Sequence, residues 1–138
     1  MSSLPAGIND RDLAVCLVDD DEIMQDLISR YLVRLGCESK VAVDPQKALG
    51  IIADGNFDLV LSDLCMPDKQ DGLNFIADLI KLHPTLPIAI MSAEMSESTQ
   101  DILKSAGAFA CLSKPLNSKD LAKVLGEVAT FRDSNPVS

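Results

Sequence analysis

Five short apolar runs alternate with longer amphipathic stretches along this chain. The runs are AVCLV at 14–18, VAV at 41–43, LVL at 59–61, IAIM at 88–91 and FACL at 109–112. Such runs fit strands covered on both faces, as in a parallel sheet. Between them, apolar residues recur at three-and-four spacing, which is one face of a helix. Ile23, Met24, Leu27, Ile28, Tyr31, Leu32 and Leu35 form the first stripe, and Gly36 follows at C′. Asp44-Pro45 opens the second helix with an N-cap side chain and a first-turn proline. Its face is Ala48, Ile51 and Ile52, and Gly55-Asn56 ends it. Leu73, Ile76, Leu79 and Ile80 mark a third helix, closed before Pro84. Ile102, Leu103 and Ala106 mark a fourth, closed by Gly107, and Leu121, Val124, Leu125 and Val128 a fifth, capped by Asn117 or Ser118.

Five strand–helix units with right-handed crossovers put helices on both faces of a parallel sheet. The fold expected is α/β, a flavodoxin-like doubly wound five-stranded parallel sheet in the order 2-1-3-4-5, with five helices. Residues 1–12 are polar and read as a flexible lead-in, 13–131 as the domain, and 132–138 as a flexible polar tail carrying Pro136. No linker or second domain is expected between those ends.

In open α/β sheets, ligands sit at the carboxyl ends of the strands. Here the first strand ends in Asp19-Asp20-Asp21-Glu22, the third in Ser62-Asp63, the fourth in Ser92-Ala93-Glu94 and the fifth in Ser113-Lys114-Pro115. Asp21 and Glu22 suit an N-cap and first helical turn. Taken singly, each remaining residue has an ordinary structural explanation. Together, Asp19, Asp20, Asp63, Ser92 and Lys114 converge on one crevice. Clustered carboxylates repel one another unless a cation compensates them, and hard oxygen ligands in small number suit Mg²⁺.

The chain has 138 residues, 47% of them hydrophobic and 24% charged, which suits one soluble domain. A net charge of −9 opposes direct nucleic-acid binding. Cys16, Cys37, Cys65 and Cys111 form no CxxC pair or Cys/His cluster, so buried or half-buried free thiols are expected. No apolar stretch reaches membrane-spanning length and no secretion h-region opens the chain, so the default location is cytoplasmic. His83, the single histidine, lies in HPTLP and reads as a solvated loop residue.

The segments CLVDDDE, FDLVLSDLCMP, PIAIMSAE and AGAFACLSKP, in this order, resemble the bacterial two-component response-regulator receiver family, from about Val15 to Val128. The resemblance implies that Asp63 is the phosphoacceptor. It implies that Asp20 binds Mg²⁺ directly (Mn²⁺ being a substitute), Asp19 acts through a metal-bound water, and the backbone carbonyl of Cys65 completes the metal site. Ser92 then matches the hydroxyl that bonds the phosphoryl group, and Lys114 the lysine that pairs with it or with Asp63. The Lys114-Pro115 bond is expected to be cis. The implied phosphodonor is a histidine on a sensor histidine kinase or a histidine phosphotransfer protein. The implied contact face for a homodimer or output domain is the fourth helix, fifth strand and fifth helix, with no direct nucleic acid and no membrane.

Three features depart from the family pattern. Cys111 stands where an aromatic residue is common, with Phe109 expected on the same strand face at another depth. MPDKQDG carries one residue more than usual, so 67–72 reads as an extended loop beside the site, with Asp68 and Lys69 in solvent. Cys65 and Glu94 occupy the two positions that tune phosphoryl lifetime in the family. Two other functions compete. A haloacid-dehalogenase-type phosphatase needs DxDx[TV], and Asp63-Leu64-Cys65 lacks the second aspartate. A nucleotide-binding or pure interaction module on this fold would need a GxGxxG or Walker A sequence, or the loss of an acid or the lysine, and none of these is seen.

Overall fold

The structure is a computed structural model, and it describes residues 13–134. The expected lead-in at 1–12 and the end of the expected tail at 135–138 lie outside the described residues. The elements run β1 (Ala14–Val18), α1 (Glu22–Arg34), β2 (Glu38–Ala42), α2 (Pro45–Ala53), β3 (Leu59–Asp63), α3 (Lys69–Leu82), β4 (Ile88–Ser92), α4 (Glu97–Ala106), β5 (Ala110–Ser113) and α5 (Ser118–Ser134). All pairings are parallel and the order is β2-β1-β3-β4-β5, as the alternating pattern predicts.

Strand side chains alternate between faces, and this divides the core in two. Val15, Leu17, Leu59, Leu61, Ala89 and Met91 pack under α1 and α5 with Ile28, Leu32, Leu121 and Leu125. Cys16, Val18, Val60, Ile88 and Ile90 pack on the opposite face with Ile52, Phe75, Leu79 and Leu103 from α2, α3 and α4. Phe75 is 2% exposed, and burial of a side chain of this size is worth about 1.5–3 kcal/mol. Burial on both faces explains why the inner strands read as continuous apolar runs.

The helix ends follow local chemistry. Asp44 caps α2 by accepting from the Lys47 N–H, and Pro45 follows it in the first turn. Gly36 and Gly107 close α1 and α4 with φ of 80° and 113°, values that favour a residue without a Cβ. Asn117 accepts from the Asp120 N–H at 2.8 Å, so of the two cap candidates for α5 it is the one in use.

Several sequence expectations need correction. β2 is Glu38–Ala42 rather than 41–43, because an edge strand needs only one buried face and its polar residues Glu38 and Lys40 disguise it. β5 is Ala110–Ser113, shifted one residue along from the apolar run at 109–112. Ile23 and Ile102 are 78% and 56% exposed, so the stripes on α1 and α4 are narrower than their apolar content implies. The stretch 67–72 is not an extended loop. Asp68 caps α3, and a capping box with Asp71 draws Lys69 and the following residues into the first turn. α5 continues past Phe131 to Ser134. Arg132 reaches Asp58 at 3.4 Å, and Asp58 also accepts from the Ala14 N–H at 2.8 Å, so the helix end is tied to the starts of β1 and β3. His83 is half-buried and forms the C-cap of α3, donating its N–H to the Leu79 carbonyl at 2.6 Å.

Candidate functional site: an acidic cluster closed by a lysine

β1 and β3 are neighbours in register, with Val18 beside Ser62. The residues one step further along, Asp19 and Asp63, therefore meet at the carboxyl edge. Asp19, Asp63 and Lys114 share the strand parity of the face under α1 and α5, whereas Ser92 has the opposite parity. Carboxylate oxygens of Asp19, Asp20 and Asp63 all lie within 4.8 Å of one another. Asp19 is fully buried, Asp63 half-buried and Asp20 exposed, so the cluster opens toward solvent on one side.

Lys114 closes the other side. Its Nζ lies 3.2 Å from Asp19 Oδ2 and 3.3 Å from Asp63 Oδ2. Burial works against the ammonium charge, but the carboxylates of Asp19 and Asp63 outweigh it and hold Lys114 above the ordinary lysine value. Burial pushes the Asp19 carboxyl up. The Asp21 N–H and the Lys114 charge pull it back, and Asp63 adds repulsion. Asp19 is also braced by the backbone. Its Oδ1 accepts from the Asp21 N–H at 2.9 Å, and its carbonyl accepts from Gln25 Nε2 at 2.6 Å. Gln25 carries no sequence signal for this role, because one turn of α1 must form before it faces Asp19. Asp21 caps α1, as expected, and accepts from the Ile23 N–H.

Ser92 ends β4, 5% exposed. Its carbonyl accepts from the Lys114 N–H at 2.9 Å, which ties it to the lysine's backbone. Its hydroxyl faces the following loop, accepting from the Glu94 N–H at 3.1 Å and donating to the Glu94 carbonyl at 3.3 Å. The Cys65 N–H approaches Asp63 Oδ1 at 3.4 Å, and its side chain is exposed rather than buried. Cys16 and Cys37 are buried and Cys111 half-buried, all as free thiols. The Lys114-Pro115 bond is cis, as is Met66-Pro67, which sequence reasoning did not anticipate. Cys111 packs toward the α2–α4 side of the sheet. Phe109 does not share that face. It lies outside β5, so strand alternation does not govern it, and its ring meets Phe131 of α5 edge-on at 5.7 Å.

A family profile described as "Response regulator receiver domain" matches residues 15–126. The chain belongs to the response regulator receiver domain family. Receivers of this family are phosphoacceptor signalling domains of two-component phosphorelays, and this chain is one of them. It is 33% identical over 111 residues to the DNA-binding transcriptional regulator NtrC of Azospirillum brasilense, covering 80% of this chain and 23% of that one. It is 35% identical over 125 residues to the sensor histidine kinase RcsC of Salmonella typhi, covering 90% of this chain and 13% of that one. The chain thus spans less than a quarter of the length of these two relatives. Among solved structures it is similar to the chemotaxis response regulator CheY4 of Vibrio cholerae, with TM-score 0.77 and 29% identity, covering 86% of this chain and 99% of that one.

The donor set of this receiver suits a metal ion. Three carboxylates converge with Lys114 against two of them, and one of the three is exposed to solvent. Among the described residues, no helix is long and apolar enough to cross a membrane.

Proposed function

We propose that Asp63 accepts a phosphoryl group from a phosphohistidine on a sensor histidine kinase or histidine phosphotransfer protein. The observation that carries this reading is the reach of Lys114 to both Asp19 and Asp63 inside a carboxylate triad. In the transfer, a carboxylate oxygen of Asp63 attacks phosphorus. The phosphorus–nitrogen bond breaks, its electron pair stays on the imidazole, and an acyl phosphate forms. Negative charge develops on the oxygens in transfer, and Lys114 is positioned to stabilise it without reorganisation. Asp19 holds Lys114 in place, while Asp20, Asp63 and the Cys65 carbonyl, with Asp19 behind them, would hold Mg²⁺. When bound, that ion supplies charge neutralisation at the phosphoryl oxygens.

The phosphoryl group adds about −1.5 to −2 of charge and strong acceptor oxygens. Ser92 then exchanges its two bonds to Glu94 for one to the phosphoryl group, which remodels the loop ahead of α4. The surface of α4, β5 and α5 is the output face in this reading, for a second copy or a downstream domain. A groove of about 600 Å³ lies there, with Lys104, Phe109, Cys111 and Val124 in its lining.

The test is intact-mass analysis after incubation with acetyl phosphate and Mg²⁺. Wild type is expected to gain one phosphoryl group and Asp63→Asn none. Equal labelling of the two would refute the assignment, and release of many equivalents of phosphate would favour a phosphatase.

A further inference from the structure

Lys69 Nζ lies 3.9 Å from Glu94 Oε1, which joins the start of α3 to the loop after β4. Both side chains are exposed, 54% and 83%, so solvent screens the pair and exchanging it for another partner costs little. Lys69 also stands where a cation is disfavoured, at the positive end of the α3 dipole. The Asp68–Asp71 capping box fixes its backbone there, six residues beyond Asp63 in sequence, while its side chain extends into solvent toward Glu94.

Charge balance supplies a role. Asp19, Asp20 and Asp63 carry three negative charges, and Lys114 with a divalent ion would cancel them. Phosphorylation replaces the Asp63 charge with about −1.5 to −2, which leaves a net negative site. The same event draws Ser92 away from the Glu94 backbone, whose N–H and carbonyl both bond its hydroxyl. The loop that presents Glu94 to Lys69 thus loosens as a need for one more cation arises.

We propose that Lys69 is a second phosphoryl-binding cation, held on Glu94 in the unmodified receiver and transferred to the phosphoryl group when Ser92 releases Glu94. This rests on the assignment of Asp63 as phosphoacceptor. The probe is beryllium fluoride with Mg²⁺, which forms an anionic phosphoryl mimic on a carboxylate. Affinity is measured by calorimetry and occupancy by fluorine NMR. Lys69→Gln is expected to weaken binding by roughly two- to fivefold, the range of a solvent-exposed ion pair, and Lys69→Arg to retain it. Glu94→Gln frees the lysine and is expected to tighten binding by a similar factor. In the double variant that gain disappears and the affinity equals that of Lys69→Gln.

If the pair only clasped two loops, both single variants would shift affinity in the same direction. That result, or no effect of Lys69→Gln while wild type binds the probe, overturns the proposal. A wild type that binds no beryllium fluoride overturns the Asp63 assignment together with it.

Discussion

Gly72→Ala is expected to destabilise this receiver although it places a better helix former inside α3. Alanine is favoured over glycine in a helix interior by about 1 kcal/mol. Against that, a Cβ at position 72 would lie 2.0 Å from the backbone carbonyl oxygen of Leu64 and 2.9 Å from its Cδ1. The oxygen cannot swing aside like a side-chain tip. Leu64 follows Asp63 directly, and its N–H donates to the Met91 carbonyl at 2.9 Å. Relief must move either α3 or the segment carrying Asp63 and Cys65. Overpacking of this kind costs about 1–3 kcal/mol, and more where backbone must shift. With the upper end of that range and the helix gain offset, the net loss is roughly 2 kcal/mol. That corresponds to a fall of roughly 6–12 °C in melting temperature for a domain of this size. Gly50→Ala is the control, since nothing lies within 4 Å of a Cβ there in α2, and a gain of about 0.5–1 kcal/mol is expected. Urea denaturation of the two variants beside wild type measures both. A Gly72→Ala protein as stable as wild type, or changed in the same sense as Gly50→Ala, would refute the argument. Mg²⁺ affinity should also fall in Gly72→Ala alone, because only that clash bears on the site.

Other outcomes follow from the site's electrostatics and burial. Asp20→Asn removes one of three carboxylates within 4.8 Å, and screened repulsion at that distance is about 1 kcal/mol; the metal-free variant should therefore unfold at higher urea while binding Mg²⁺ more weakly, as titration calorimetry can check. The Lys114 pKa is raised in the folded state, so its stabilisation is present in full below the ordinary lysine value of 10.5 and is lost as pH rises through the folded value above it. Lys114→Met should thus be less stable than wild type at pH 7, with the gap narrowing above pH 10.5; a gap independent of pH in denaturation curves would contradict this. Burial pushes the Cys16 thiol up to about 11, so iodoacetamide near neutral pH should modify Cys65 first, Cys111 slowly, and Cys16 and Cys37 only on unfolding, as peptide mass mapping would reveal.

From the sequence alone came the architecture and the list of residues standing at the carboxyl edge of the sheet. Strands buried on both faces must be apolar throughout, so β1, β3 and β4 stand out as runs, and their order with the helices leaves one sensible winding. Parallel strands bring their carboxyl ends to one edge, which is why Asp19, Asp20, Asp63, Ser92 and Lys114 were legible as a set. What depended on a single face or a long-range partner was not legible. The edge strand β2 hides behind polar residues, and Ile23 and Ile102 are apolar yet exposed. The end of α5 is fixed by the reach of Arg132 to Asp58, a contact across the chain that no local pattern encodes. Tertiary structure also decided the present state of the site. Lys114 bridges Asp19 and Asp63, while the Ser92 hydroxyl is engaged by Glu94 and Lys69 meets Glu94 from another element. Residue types and strand ends say which groups can meet. Their pairing depends on side-chain direction and competing partners, which exist only once the elements are packed.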